Sequence, residues 1–297
     1  MGEKATTVEK QINLLKDRGM TITDIEKAKE VLLDIGYYRL GFYWFPYEIT
    51  YPNKLKRNHC FKKNTDFDNI VKLYYFDFNL RNFLMKYINR IEINFRTYLT
   101  YHVSNKYVDS PTWFVDPSIV KQDYIQSFNI NVYNENFKKN PIIKTHHTKH
   151  INDKYAPAWK TIEFMTLGAV INLFNAIKDE KTKTEICKHY GINKVVVFNS
   201  YINLVRKIRN QCAHGNVLYD LSLPTSIRKG PVGKMEPKDY HNLNGAIKII
   251  RYMLGCVSKN RENDMKNEIN SLLKKYAKYK AIHETLKKST GINNYLN

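Results

Sequence analysis

Hydrophobic positions recur every three or four residues along most of the chain, the period of a helix buried on one face. Residues 7–18, TVEKQINLLKDR, carry such a stripe and stop at Gly19. A second helix is predicted from an N-cap at Thr23 or Asp24, through IEKAKEVLLDI, to Gly36. The aromatic stretch YYRLGFYWFPYEITYP fits a short helix followed by a turn, closed by Pro46 and Pro52. The longest stripe runs from about Asp66 to Ser104, with Phe67, Ile70, Tyr74, Leu84, Ile88, Ile91, Phe95 and Leu99 in register. A helix of that length is unusual, and a kink or split is expected. Residues 105–157 are the least regular, with Pro111, Pro117, Pro141 and Pro157, and they read as a partly mobile basic loop with some helix inside it. Order resumes with a strongly apolar helix near 158–177, a short one around 181–190, and one starting at about 195. A Pro- and Gly-bearing loop covers 221–238, then a helix over 239–257 and a basic amphipathic helix at about 261–288. No strand-like alternation lasts long enough to build a sheet, so the expected fold class is all-α. The expected division is a helical extension over 1–60, a helical core over 61–258 with a basic insertion near 105–157, and a basic C-terminal helix over 259–297.

Composition narrows the class. Hydrophobic residues make up 43% of the 297, enough for a globular core. The net charge is +20, from 48 Lys and Arg against 28 Asp and Glu. Such an excess repels itself in a compact chain and points to a polyanionic partner, RNA before an anionic membrane; DNA is not expected. Cys60, Cys187, Cys212 and Cys256 form no Cys-x-x-Cys pair, so neither a zinc site nor a disulfide frame is suggested, and a reducing cytoplasm fits. No apolar run reaches the length of a membrane span. The start, MGEKATT, lacks a signal-peptide core, although Gly2 and Thr6 match a permissive myristoylation pattern.

The strongest chemical signal is RNQCAHGN, residues 209–216. Cutting RNA without a metal needs a base for the ribose 2′-OH, a cation for the phosphate and an acid for the leaving 5′ oxygen. His214 suits the proton work, because imidazole titrates near neutrality. Arg209 suits the phosphate, being always charged and bidentate, and Asn210 can orient either group. On one ideal helix, positions 209 and 214 lie about 140° apart and about 7.5 Å along the axis. Either the helix ends between them, as Gly215 hints, or a second copy of the chain completes the site. The pattern of Arg, a four- to six-residue step and His is weak alone: eleven Arg and nine His give about one match by chance. A second match, Arg96 to His102, ends the long helix, where Arg96 could equally pair with Glu92 one turn earlier.

Lesser signals carry plainer readings. His146 and His150 in HHTKH have a helical metal-ligand spacing, but two lysines flank them and no carboxylate or cysteine is close in sequence, so no metal is expected. Lys144 and Lys149 make that segment a phosphate-attracting loop. Tyr37, Tyr38 and Arg39 interleave rings with a cation, as RNA-stacking surfaces do, and Arg206 adds a cation one turn before Arg209. The terminal KNEINSLLKKYAKYKAIHETLKK could bind RNA backbone, pack on the core or lie on a membrane.

Two stretches, KQINLLKDRGMTITDIEKAKEVLLDIGYYRLGFYWFPY and PAWKTIEFMTLGAVINLF, resemble the Abi family of bacterial abortive-infection proteins, its AbiD/AbiF-like group. RNQCAHGN falls where that family carries its Arg-x4-6-His signature, and the resemblance covers roughly residues 8–220. The family in turn resembles HEPN proteins, helical bundles in which this signature often acts as a metal-independent ribonuclease at a dimer or pseudo-dimer interface. The resemblance therefore implies a HEPN-like core, Arg209 and His214 as the catalytic pair with Asn210 in support, and no cofactor. RNA-targeting CRISPR effectors carry two such motifs in one chain, which makes Arg96 and His102 a candidate second half-site. It also implies a homodimer as a candidate assembly and a small non-coding RNA as a restraining partner, in a phage-defence or toxin-antitoxin setting. The competing expectation is a non-catalytic module that holds a structured RNA. A third, resting on the terminal helix and Gly2, is a membrane-acting effector.

Overall fold

The computed structural model describes residues 4–292. Among them the architecture is all-α, with isolated bridges between extended residues and no β-strand. Helix α1 (Val8–Asp17) and helix α2 (Ile25–Asp34) form a hairpin whose N-caps, Thr7 and Asp24, accept from Lys10 and Lys27. Helix α3 (Tyr37–Trp44) follows. Helix α4 (Phe67–Lys106) is one uninterrupted helix of 40 residues, about 60 Å long. Its stripe of Ile70, Leu73, Leu80, Leu84, Ile88, Ile91, Phe95, Leu99 and Val103 is buried along the whole length. Each such side chain contributes about 1.5–3 kcal/mol when removed from water, which outweighs the pressure to split so long an element.

The 105–157 segment is more regular than its prolines suggest. It holds α5 (Gln122–Asn131), α6 (Glu135–Lys138) and α7 (Pro141–Lys149), and it buries Trp113, Phe114, Phe128, Tyr133 and Ile143. Pro141 opens α7, where a missing N–H costs nothing, and Pro157 is the N-cap of α8 (Ala158–Thr161). HHTKH is thus the last turn of a helix, not a loop. The helix expected over 158–177 is interrupted: extended Met165 and the N-cap Thr166, which accepts from Ala169, start α9 (Leu167–Ala176) afresh. Helix α10 (Glu180–His189) and helix α11 (Val195–Ala213) come next. The loop over 221–236 ends in a short 3-10 turn, Pro237–His241, before α12 (Leu243–Val257). The basic C-terminal helix is two helices, α13 (Lys259–Ala277) and α14 (Lys280–Thr290), broken at Lys278 and Tyr279.

Helices α11, α12 and α13 pack lengthwise on α4, α12 lying between the other two, and α3, α9 and α10 close its sides. The buried apolar residues, from Ile12 to Ile292, form one continuous core. The N-terminal helices and the 105–157 segment send side chains into it. Among the described residues no helix is long and apolar enough to cross a membrane. Gly2 lies outside the described residues.

Candidate active site

Helix α11 positions the RNQCAHGN strip. Val197, Phe198, Tyr201, Ile202, Val205 and Ile208 face the core, which turns the polar positions outward. The helix ends between Arg209 and His214, the first of the two arrangements the sequence left open. Ala213 is the last helical residue and His214 the C-cap. Gly215 then adopts φ +66°, the left-handed conformation that favours glycine, and the Asn216 N–H returns to the Gln211 carbonyl at 2.9 Å.

This end is held from two other elements. Arg39 of α3 donates to the Gly215 carbonyl at 2.9 Å. Buried Asp77 of α4 accepts from the Leu218 N–H at 3.1 Å, the Tyr219 N–H at 2.7 Å and the Tyr43 hydroxyl at 2.9 Å. Asp77 also pairs with buried Arg81 at 2.5 Å. Burial raises the Asp77 pKa; Arg81 and these hydrogen bonds oppose the rise. The backbone on the C-terminal side of His214 is therefore fixed, while the His214 side chain stays exposed.

Arg209 meets the long helix. Its Nε lies 3.6 Å from Glu92 Oε2, and the other oxygen of the same carboxylate accepts from Arg96 Nη2 at 3.0 Å. Arg96 Nη2 also donates to the Met165 carbonyl at 2.9 Å, tying the elbow before α9 to α4. One carboxylate thus serves two guanidinium groups, and a net positive charge remains. Arg209 Nη1 approaches Asn210 Oδ1 only at 3.4 Å, so its outer fork has no strong partner among the described residues.

Arg209, Asn210 and His214 line one cleft of about 970 Å³. Its walls are the outer face of α11, the start of α9 at Thr166–Gly168, and residues 223–228 of the following loop. Arg206, Lys207 and Arg228 add positive charge. No carboxylate stands among the described residues that line it, so the cleft attracts anions. Gly168 gives Arg206 room: a Cβ there would lie 3.3 Å from Arg206 Nη1.

The other candidate residues are dispersed. Arg96 joins Arg209 through Glu92, but His102 does not follow it. The His102 ring packs on Tyr98 at 4.1 Å, and the opposing stack on Tyr98 is His189 at 3.8 Å. Burial, with His102 adding repulsion, lowers the His189 pKa. The second motif is therefore divided, its arginine bound to Glu92 and the Met165 carbonyl behind the cleft and its histidine in an aromatic stack. Tyr37 is half-buried, packing on Trp44 and accepting from Arg18, whereas Tyr38 is exposed beside Phe42. Lys144 and Lys149 are exposed on α7. His146 is buried there, 3.2 Å from Asp153, a carboxylate that the reading of HHTKH overlooked. Among the described residues no group of three or more His, Cys, Asp or Glu is placed to hold a metal ion.

Arg228, Asn199 and Asn203 were not singled out from the sequence, and Glu92 only as the partner of Arg96, a pairing that the structure shows at 3.0 Å. The polar residues of α11 could have been: Asn199, Asn203, Arg206 and Asn210 recur at three and four on the face opposite the core. Glu92 gave no such signal beyond its spacing to Arg96.

No curated protein and no solved structure matches the chain. A protein-family model does, over residues 30–220, a span that contains Arg39, Asp77, Glu92, Arg209 and His214. That span is well over half of the 297 residues, and it is described as Abi-like protein; the chain belongs to the Abi-like protein family.

Proposed function

We propose that this Abi-like protein is an RNA endonuclease of a phage-defence or toxin-antitoxin system, with a HEPN-like core and its reaction centre at Arg209 and His214. The observation that carries the reading is that these two residues, brought by a helix end, share a cationic cleft with no carboxylate among the described residues that line it. His214 takes the proton from a ribose 2′-OH, and the oxygen attacks the adjacent phosphorus as the bond to the 5′ oxygen breaks. Arg209 holds the phosphate oxygens with its outer fork while charge grows on them. Glu92, on the Nε side, keeps that fork turned outward. The leaving 5′ oxygen takes a proton, either returned by His214 or given by the His214 of a second copy in a homodimer. The products are a 2′,3′-cyclic phosphate and a 5′-hydroxyl. Arg39 serves the site indirectly, through Gly215. A small non-coding RNA is the proposed restraint, held on the basic surface.

The test is to incubate nucleic-acid-free protein with bacterial RNA in EDTA and map the ends. Cyclic phosphate and 5′-hydroxyl ends are expected. Cleavage that disappears with EDTA, or that leaves 5′-phosphates, overturns the mechanism. Sequencing the RNA that co-purifies with the protein tests the restraint: one abundant small species is expected, and random fragments oppose it.

A further inference from the structure

Helix α3 keeps most of its rings inside: Tyr43 and Trp44 are buried, and Tyr37 is half-buried against Trp44. Two rings break the pattern. Tyr38 is 83% exposed, and Phe42, one turn later, is 48% exposed. They share the outer face of α3 and meet edge to face, with centroids 5.4 Å apart and planes at 82°. Phe42 braces Tyr38, so the tyrosine offers an open ring face whose orientation is partly set before anything binds.

This face adjoins the reaction centre. Arg39, between the two rings in sequence, donates to the Gly215 carbonyl, the residue next to His214. The Tyr219 hydroxyl donates to the Phe42 carbonyl at 2.9 Å, a second tie between α3 and the segment leaving α11. The cleft runs from His214 back toward Val196, whereas α3 meets α11 at its opposite, C-terminal end. A strand that lies in the cleft and continues past His214 comes to α3.

An aliphatic protein surface would match the two rings but not the cations beside them, Arg39 and the Arg209 end of the cleft. A nucleotide matches both, because its base supplies a flat π-face and its phosphate an anion. Within a duplex the base faces are already covered by neighbouring pairs, so the base must be unpaired.

We propose that Tyr38, braced by Phe42, is a stacking platform for an unpaired base near the cut, on the side of the reaction centre away from the cleft. The inference rests on RNA being the substrate of this site. Stacking needs only a π-face, so the platform takes any of the four bases and contributes affinity and placement, not sequence choice.

The experiment measures binding of short unpaired RNA to the full-length His214→Ala protein. Its cycle pairs Tyr38→Ala with an abasic nucleotide moved one position at a time along the RNA. Tyr38→Ala, on an exposed face where folding is not at risk, is expected to weaken binding about fivefold or more. One abasic position should cause a like loss when Tyr38 is present and no further loss when it is absent, as a direct ring–base contact requires. Tyr38→Trp should retain binding, and Phe42→Ala should lose part of it. The salt dependence should not change with Tyr38→Ala, since no phosphate contact is removed. Binding of a long RNA duplex should not respond to it either. No loss with Tyr38→Ala, no abasic position coupled to it, or an equal loss on the duplex overturns the platform. So does a change of oligomeric state in light scattering with Tyr38→Ala, which would make this face an interface between copies. Mapping the ends that the wild type leaves separates the two readings. Cuts with no coupled position refute the platform and leave the ribonuclease. A coupled position without any cuts refutes the ribonuclease and leaves the platform.

Discussion

Replacing Asp77 by alanine is the perturbation with the best-defined cost. The carboxylate is fully buried and receives four groups: the Arg81 guanidinium, the Tyr43 hydroxyl and the N–H groups of Leu218 and Tyr219. Its removal strands Arg81, whose side chain is 5% exposed. Breaking a buried ion pair from one side costs about 3–5 kcal/mol. Two backbone N–H groups are orphaned as well, at about 1–3 kcal/mol each, although these losses share one atom and do not add fully. Water entering the vacated volume returns part of the sum, so a net loss of at least about 3 kcal/mol is expected. At about 2 °C per kcal/mol for a chain of this size, the Tm falls by about 6 °C or more. Thermal unfolding followed by circular dichroism reads this directly. Asp77→Asn keeps an acceptor for the N–H groups and should lose less. The double variant Asp77→Ala, Arg81→Met removes the stranded charge and should regain part of the loss. A Tm for Asp77→Ala within about 2 °C of wild type would refute the assignment of this carboxylate as the lock on residues 216–219.

The remaining predictions concern the site and its surroundings. Glu92→Gln keeps a partner for Arg96 but releases Arg209; cleavage should fall about 10- to 100-fold while RNA affinity is kept or raised, and unchanged turnover would deny Glu92 its positioning role. His102→Ala should leave cleavage within about twofold of wild type, whereas a loss like that of His214→Ala would restore the Arg96–His102 pair as a half-site. Burial lowers the pKa of His146, Lys160 adding to the effect, and also that of His189. The unfolded chain therefore takes up protons that the folded one refuses, so stability holds above about pH 6.5 and is lost as pH falls below it. Denaturant midpoints across that range should show the slope, and His146→Gln should flatten it.

The sequence made the long helix legible because its apolar stripe never loses register. Its length was doubted only on general grounds, and burial against α11, α12 and α13 sustains it. Misreadings arose where one polar residue decides. Thr166 looked like part of an apolar run, yet its hydroxyl caps α9 and the elbow before it forms a wall of the cleft. Lys278 and Tyr279 carry no Gly or Pro, so the break between α13 and α14 had no local mark. The prolines of 105–157 suggest a partly mobile loop with some helix inside it, whereas Pro141 opens one helix and Pro157 caps another. At the site, Arg209, Asn210 and His214 were legible as a motif, and Gly215 announced the helix end. Asp77 was not, and Glu92 was legible only as the partner of Arg96, because the contacts of Asp77 with Leu218 and Tyr219 and of Glu92 with Arg209 cross the fold to partners far away in sequence. Arg39, expected to contact RNA, also donates to the Gly215 carbonyl at the end of α11, a contact across the fold that no local pattern marks.

The central claim is that Arg209 and His214 act together on RNA in the α11 cleft. Its most direct test measures cleavage and RNA affinity side by side for wild type, Arg209→Ala and His214→Ala. Both variants should lose about 100-fold or more in cleavage, and His214→Ala should still bind RNA within about threefold of wild type. Wild-type cleavage by the His214→Ala protein would contradict the account.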